Sequence, residues 1–286
     1  MPDLFVLGSP RSGTSLLRTM LDGHPDIFIP AETHFFPVLR RLTALCRHRH
    51  GRTIFIRLAF ANGSLKRSGF TQSDALELFE AKSTESSATP LEQLDHTLRE
   101  LASANILGDK TPSYALNASA LLKSYPDARV VWITRRRESV VRSLLGIDWG
   151  PDTVAAASYV WMRCELQHRK LIRSHPVLSL SYEDLVRSPD DELARVCEFL
   201  EIAFHENMTR PQDRAADAIR LHNYPENHQR LFEDISAPAQ DAPNESYDDV
   251  NPVLGWAAYQ IYRCQFIKPR LKTIGRWLGE SVRHAA

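Results

Sequence analysis

Near its amino terminus the chain reads Leu4-Phe5-Val6-Leu7-Gly8-Ser9-Pro10-Arg11-Ser12-Gly13-Thr14-Ser15. Four apolar residues lead directly into a glycine, and apolar residues at helical spacing follow Ser15. This order predicts a buried strand, a tight turn and a helix. Gly8 and Gly13 permit backbone angles that turn N–H groups toward an anion, and the first turn of the helix adds further N–H groups. The stretch is therefore predicted to bind a phosphate.

The spacing of the two glycines matches a Walker phosphate loop, but Thr14 stands where that motif has lysine. A lysine at this position would contact the β- and γ-phosphates of a nucleoside triphosphate. Here the cation lies inside the loop, at Arg11, while Thr14 and Ser15 supply hydroxyl groups. The pattern favours a different phosphate-bearing donor and leaves a P-loop nucleotide kinase as the alternative.

The whole run from Gly8 to Pro25, Gly-Ser-Pro-Arg-Ser-Gly-Thr-Ser-Leu-Leu-Arg-Thr-Met-Leu-Asp-Gly-His-Pro, resembles the 5′-phosphosulfate loop of the sulfotransferases. Within that family it is similar to the branch of the tyrosylprotein sulfotransferases and many bacterial enzymes. The resemblance covers residues 4–202 and implies the donor 3′-phosphoadenosine-5′-phosphosulfate (PAPS). It also implies that the donor is bound by the residues of the loop, which are Pro10, Arg11, Ser12, Gly13, Thr14 and Ser15.

A short apolar segment, Ile27-Phe28-Ile29, is predicted to form a second strand that leads to Glu32 and His34. A carboxylate and an imidazole just past the carboxyl end of a strand lie where open α/β sheets bind ligands. Either group could take a proton from an incoming hydroxyl. The resemblance implies that Glu32 is the general base, and His34 is the alternative, because other sulfotransferases use histidine.

A third strand, within Asn105-Ile106-Leu107-Gly108-Asp109, is predicted to end at Lys110. The resemblance places Lys110 at the sulfuryl group, where a fixed cation stabilises the charge that develops during transfer. Together with Arg11 it is predicted to stabilise the transferring group and the leaving oxygen. Because arginine and lysine supply the positive charge, no metal is predicted.

The apolar run Val130–Ile133 predicts a strand buried on both faces, with Arg135 after its end and Ser143 eight positions later. A strand end and the following helix could bring these two side chains to one phosphate. The resemblance assigns this pair to the 3′-phosphate of the donor, although Arg136-Arg137 replaces the residues that usually follow the arginine. It also places Tyr182 beside the donor nucleotide, with support of the apolar core as the equal alternative.

Composition limits the classes of partner. Lysine plus arginine and aspartate plus glutamate number 35 each, so no overall charge recruits nucleic acid or a membrane. No apolar run approaches the ~20 residues that cross a bilayer, and the first strand begins too close to Met1 for a signal peptide. The four cysteines have no metal-ligand spacing and are predicted to be reduced core thiols. We expect a cytoplasmic protein without a transmembrane segment.

Strand and helix patterns alternate without an internal repeat, which predicts an α/β fold: three layers with a mainly parallel central sheet and helices on both faces. We expect one domain over residues 1–286, with a donor-binding core in 1–204 and an acceptor-covering loop and C-terminal helices in 205–286. Residues 63–69 are predicted to be a polar loop, and residues 114–124 a helix.

The predicted function is in-line transfer of a sulfuryl group from PAPS to a hydroxyl or amine acceptor. A non-catalytic nucleotide-binding protein of the same fold is a second alternative beside the kinase. The basic, amphipathic C-terminal helices are predicted to dock on the domain, with peripheral contact to anionic lipid as the lesser interpretation.

Overall fold

The computed structural model describes residues 2–30, 32–34, 43–44, 46, 49–61, 63–83, 89–147 and 150–209 of the 286-residue chain. The chain divides into two compact units, residues 1–135 with 167–240 and residues 136–166 with 241–286. The predicted single domain, with its boundary at residue 204, stays a prediction, because residues 210–286 lie outside the described part.

A parallel sheet forms the centre of the first unit. Its described strands are β1 (Leu4–Leu7), β2 (Ile27–Phe28), β3 (Ile106–Asp109), β4 (Arg129–Thr134) and β5 (Val177–Ser181). Their order is β2-β3-β1-β4-β5, and each neighbouring pair runs parallel. The predicted parallel sheet is confirmed.

The apolar sequences of the two central strands, β1 and β4, match their burial. All of β1 and residues 130–133 of β4 are fully buried, as expected for strands that are covered on both faces. Side chains alternate between the two faces of the sheet. On one face the ring of Phe5 contacts Tyr114 and Tyr125. On the other face Val6 belongs to an apolar cluster with residues of two helical segments, 16–21 and 193–200. Helices therefore cover both faces, and the predicted three-layer α/β fold is confirmed.

One or more described helices follow each strand. They are α1 (Thr14–Leu21), α2 (Arg49–Phe60), α3 (Ser64–Arg67), α4 (Gln72–Ser83), α5 (Pro90–Ala102), α6 (Ala118–Leu122), α7 (Arg137–Leu145), α8 (Val154–Leu171), α9 (Tyr182–Arg187) and α10 (Pro189–Leu200), with 3₁₀ helices at Pro112–Asn117 and Glu206–Met208. α7 belongs to the second unit, and α8 crosses the division between the units. In the part of the chain that the structure describes, no helix has the length and apolar composition to span a membrane.

Two local predictions differ from the structure. Residues 63–69 are not an open loop, because α3 forms a single turn there between Gly63 and Gly69, both at positive φ. Ser64 and Leu65 are buried, so packing rather than helical propensity holds this turn. The helix predicted over 114–124 begins as a 3₁₀ helix, with Pro112 in its first turn, and becomes α-helical only at Ala118.

The direction of the strands positions the candidate site. Since the strands are parallel, the carboxyl ends of β1, β2, β3 and β4 lie along the same edge of the sheet. The connection after β1 leads to β2, on one side of it, whereas the connections after its neighbours β3 and β4 lead in the opposite direction, to β4 and β5. This reversal makes the end of β1 a switch point of the kind where α/β sheets bind ligands. The segments that follow these four strands carry the predicted site residues, apart from Ser143 and Tyr182.

Candidate active site

The loop between β1 and α1 has the tight conformation that its two glycines predict. A Cβ on Gly8 would lie 2.5 Å from the carbonyl oxygen of Ile133 in β4, so only glycine permits this approach. Gly13 has φ 95°, in the left-handed region, and a Cβ there would overlap the ring of Tyr182. The loop thus fits closely between β4 and the start of α9, and it ends at the amino terminus of α1.

Ser12 stabilises the turn from inside. Its hydroxyl donates to the carbonyl oxygens of Ser9 and, at 3.3 Å, Ile133, and its backbone N–H donates to Ser9 at 3.0 Å. These contacts use the side chain of Ser12 within the protein. Arg11, one residue earlier, is exposed and has φ 71°, a conformation that costs a non-glycine residue energy and recurs at functional sites.

Arg135 lies beside this loop at the end of β4. Its Nη1 donates to the carbonyl oxygen of Arg11 at 3.2 Å, and its guanidinium carbon lies 4.0 Å from the centroid of the Tyr182 ring. The predicted donor-binding residues Arg11, Gly13, Arg135 and Tyr182 are therefore brought together. Ser143 lies in α7 of the second unit, and its pairing with Arg135 stays a prediction.

Lys110 connects the loop side of the site to the segment after β2. Its Nζ lies 2.8 Å from Oε1 of Glu32 and 3.2 Å from Oγ of Ser15 in the first turn of α1. The Lys110 residue is 3% exposed, whereas the Glu32 side chain is 41% exposed. Although α1 has Thr14 in place of a Walker lysine, a lysine from the neighbouring strand brings its charge to the same helix.

The charges of this pair act on each other. Burial raises the pKa of Glu32, but the hydrogen bond from His34 and the contact with Lys110 outweigh burial and hold the pKa at about 2. Burial lowers the pKa of Lys110, and Glu32 opposes that change. The buried ammonium has this carboxylate as its hydrogen-bonded counter-ion. Glu32 is therefore a carboxylate at neutral pH.

His34 lies on the other side of the same carboxylate. Its Nε2 is 3.4 Å from Oε2 of Glu32, and its side chain is exposed. Its φ of 56° is in the left-handed region, and its backbone N–H donates to Oγ1 of Thr111 at 3.4 Å. The two residues predicted as alternative bases are thus neighbours, and each could receive a proton at this place.

Sequence reasoning missed Asp109, the last residue of β3. It is fully buried, and its two carboxylate oxygens accept hydrogen bonds from the hydroxyls of Thr33 and, at 2.8 Å, Thr111. Burial raises its pKa to about 6, against the effect of these two hydrogen bonds. The available signal was an acidic residue at the end of a buried strand, directly before Lys110, where an unpartnered carboxylate would be costly.

A second buried carboxylate, Asp22, holds the start of the segment after β2. Its Oδ1 accepts the backbone N–H of Ile29 at 2.9 Å, and its Oδ2 lies 3.6 Å from Nη2 of Arg18. Arg18 is buried, and its charge lowers the pKa of Lys110. The segment that carries Glu32 is therefore anchored to α1 by Asp22 and to β3 by Asp109.

This arrangement can bind an anion and remove a proton. The amino terminus of α1, Arg11 and Lys110 are positive, and the Glu32 carboxylate lies within hydrogen-bond reach of Lys110. In the described residues, no three His, Cys, Asp or Glu side chains form a cluster that could hold a metal ion.

Comparisons with known proteins match this fold and these motifs. A family model described as the sulfotransferase family matches residues 2–206, which confirms the range and the family predicted from the sequence. The Danio rerio protein-tyrosine sulfotransferase 1 is 26% identical over 213 residues, 72% of this chain and 55% of the relative. The Drosophila melanogaster protein-tyrosine sulfotransferase is 24% identical over 214 residues, 72% of this chain and 39% of the relative.

The chain thus spans about half of one relative's length and about two fifths of the other's. Among solved structures, the sulfotransferase domain of the Synechococcus PCC 7002 olefin synthase aligns with a TM-score of 0.59 at 22% identity. That alignment covers 92% of this chain and 94% of the solved chain, which shows a common fold.

Proposed function

The chain belongs to the sulfotransferase family, and we propose that it transfers a sulfuryl group from PAPS to a hydroxyl acceptor at the site formed by the loop after β1, Glu32 and Lys110. The observation that carries this proposal is the position of Lys110. Its Nζ lies within hydrogen-bond distance of both Ser15, at the phosphate-binding end of α1, and Glu32, the candidate base.

The donor fits the positive groups of the loop. Its 5′-phosphate would accept hydrogen bonds from the N–H groups at the start of α1 and from the hydroxyls of Thr14 and Ser15. Its 3′-phosphate would bind Arg135, with Ser143 as the predicted second contact. The ring of Tyr182, already under the guanidinium of Arg135, would then border the nucleotide.

The transfer step follows from this placement. The acceptor oxygen forms a bond to sulfur while the bond from sulfur to the 5′-phosphate oxygen breaks, and 3′,5′-adenosine bisphosphate leaves. Lys110 and Arg11 stabilise the negative charge that grows on the bridging oxygen, and the effect is strongest for Lys110, because its ammonium is buried and pre-oriented. Glu32 takes the proton of the acceptor hydroxyl as its oxygen attacks.

The low pKa of Glu32 belongs to the protein without donor. A carboxylate whose pKa is about 2 is a weak base, because Lys110 and His34 both stabilise its charge. A bound sulfuryl group would compete for the ammonium of Lys110 and so raise the pKa of Glu32. His34 would then hold the remaining carboxylate oxygen, or would itself receive the proton.

The acceptor is proposed only as a hydroxyl compound. Two relatives are protein-tyrosine sulfotransferases by name, so a tyrosine phenol belongs among the first acceptors to try. Of the residues predicted to cover the acceptor, 205–286, those from 210 onward lie outside the described residues. The cytoplasmic location and the exclusion of nucleic acid as a partner stay predictions.

A thermal-shift titration tests the donor. The ligands are 3′,5′-adenosine bisphosphate, ATP with magnesium, and AMP. A ligand that binds only the folded protein stabilises it by about 2.7 kcal/mol at ~100 times its dissociation constant. We expect stabilisation by the bisphosphate alone, followed by transfer of labelled sulfuryl from PAPS to a phenol or alcohol. Stabilisation by ATP with magnesium alone would replace this proposal with the kinase.

A further inference from the structure

The two residues that form the central ion pair lie on separate segments. Glu32 follows β2 and Lys110 follows β3, yet their charged atoms are 2.8 Å apart. Glu32 is at the exposed edge of the site, where water competes for its carboxylate. A pair of this kind keeps its geometry only if the backbones on both sides are fixed, and a displacement of about 1 Å can cost about a hundredfold in rate.

Asp109 is placed to fix both backbones at once. Its Oδ2 accepts the hydroxyl of Thr33, the residue after Glu32, and its Oδ1 accepts the hydroxyl of Thr111, the residue after Lys110. Thr111 in turn accepts the backbone N–H of His34 at 3.4 Å. Each residue of the ion pair is therefore the sequence neighbour of a threonine on the same carboxylate.

Burial makes these contacts hard to exchange. Asp109 and Thr111 are 0% exposed and Thr33 is 1% exposed, so no water replaces a hydroxyl that leaves the carboxylate. A hydroxyl that is lost here leaves a buried acceptor without its partner, which costs more than the hydrogen bond contributes on an exposed surface. Asp109 accepts the hydroxyls of the two threonines, and its charge also opposes the effect of burial on the pKa of Lys110.

We propose that Asp109 is a positioning residue for sulfuryl transfer. Through the hydroxyls of Thr33 and Thr111 it keeps Glu32 and Lys110 at hydrogen-bond distance. This inference rests on the proposed function for its catalytic consequence, but the geometry of the pair can be tested without it.

The test removes one hydroxyl and leaves every charged side chain of the site in the sequence. Thr33→Val deletes the hydroxyl at nearly constant volume, and Thr33→Ser restores it. Thr97→Val is the matched control, because Thr97 is equally buried and its hydroxyl donates to the Gln93 carbonyl oxygen inside α5, at 2.8 Å. For each variant the readouts are kcat, KM for PAPS, and affinity for 3′,5′-adenosine bisphosphate.

We expect Thr33→Val to lower kcat by about tenfold to about a hundredfold, with unchanged bisphosphate affinity, and Thr33→Ser to recover most of kcat. Thr97→Val should retain kcat even if it loses thermal stability. Equal losses of kcat in the Thr33 and Thr97 valine variants, or no recovery by serine, would overturn the proposal.

A second readout does not need an acceptor. The rate at which acetic anhydride modifies Lys110, measured by mass spectrometry relative to the exposed Lys123, reports how well the ammonium is held. We expect faster modification of Lys110 in Thr33→Val and Thr111→Val, and the wild-type rate in Thr97→Val. An unchanged rate in both site variants would overturn the positioning role. If the wild-type protein neither binds the bisphosphate nor transfers sulfuryl, the proposed function fails while this readout still decides the role of Asp109.

Discussion

Nζ of Lys110 lies 2.8 Å from Oε1 of Glu32. The cation that is proposed to stabilise the transferring group is thus in direct contact with the candidate base. In the donor-free protein the ammonium and the carboxylate are therefore hydrogen-bonded to each other and not to a substrate. The cation is buried and the carboxylate is not, so an incoming sulfuryl group can displace the carboxylate more easily than it can displace the lysine.

Lys110→Met should abolish most turnover and leave the nucleotide-binding loop intact. Loss of one pre-oriented donor at a developing negative charge costs about a hundredfold to about a thousandfold in kcat. Steady-state kinetics, with thermal-shift titration of 3′,5′-adenosine bisphosphate, separates turnover from binding. Lys123→Met is the control, since Lys123 is an exposed lysine in the turn at the end of α6. Wild-type kcat in Lys110→Met would remove this residue from the mechanism.

Glu32→Gln should lose turnover more severely than His34→Asn if Glu32 is the base. Glutamine keeps the shape and one acceptor oxygen but cannot take a proton, whereas asparagine at position 34 removes only the neighbour of the carboxylate. We expect a loss of about a hundredfold or more for Glu32→Gln, the range of general-base catalysis. The measurement is kcat over a pH series for both variants. A larger loss in His34→Asn would assign the proton to the imidazole.

The two carboxyl groups should change stability with pH in opposite directions. The pKa of Glu32 is lowered from 4.5 to about 2, so its contribution to the free energy of unfolding is complete above 4.5 and is lost as the pH falls toward 2. The pKa of Asp109 is raised from 3.8 to about 6, so its contribution is complete below 3.8 and is lost as the pH rises through 6.

Urea unfolding of wild type, Glu32→Gln and Asp109→Asn across this pH range tests both signs. The wild type should gain stability relative to Glu32→Gln as the pH rises from 3 to 5, and should lose stability relative to Asp109→Asn as the pH rises from 4 to 7. Parallel pH profiles for wild type and Asp109→Asn would show that the buried carboxyl titrates normally.

The sequence predicted the parts of the site that depend on local pattern. The loop after β1, Lys110 after β3 and Arg135 after β4 follow from apolar runs that end in glycine or a cation, because a buried strand and its parallel neighbours fix where those ends lie. The bounds of α5 were also predictable, since Thr89 and Glu92 form a capping box around the start of the helix.

What the sequence could not show are contacts between segments far apart in the chain. Asp109 pairs with Thr33 across 76 positions, and no spacing rule connects the two. The short α3 was missed for a related reason, since its buried Ser64 and Leu65 are held by tertiary packing and not by helical propensity. Arg135 was predicted at the donor phosphate, but its contact with the carbonyl oxygen of Arg11, 124 positions away, follows from no spacing rule.

Arg135→Ala should weaken the binding of 3′,5′-adenosine bisphosphate. A hydrogen bond to a charged group contributes about 1.5–3 kcal/mol, so affinity should fall by about tenfold to about a hundredfold. The variant also removes the hydrogen bond to Arg11 and the cation above the Tyr182 ring. Arg136→Ala is the matched control at the adjacent, exposed position. If Arg136→Ala lost more affinity, the second arginine would be the phosphate ligand.

Gly13→Ala should damage the loop through both its backbone and its neighbour. Gly13 has φ 95°, which strains an alanine, and the new Cβ would overlap the ring of Tyr182. Gly63→Ala is the matched comparison, because Gly63 also has positive φ but, among the described atoms, its Cβ would meet Nη1 at the end of the long Arg67 side chain, at 3.1 Å. Strain from φ alone costs about 1–3 kcal/mol. In urea unfolding, the loss of unfolding free energy should therefore lie within that range for Gly63→Ala and exceed it for Gly13→Ala.

Bisphosphate binding should be lost only in Gly13→Ala, since the overlap forces the ring of Tyr182 away from the loop that the donor would occupy. Equal unfolding free energies and normal binding in both variants would mean that the loop can relax away from Tyr182.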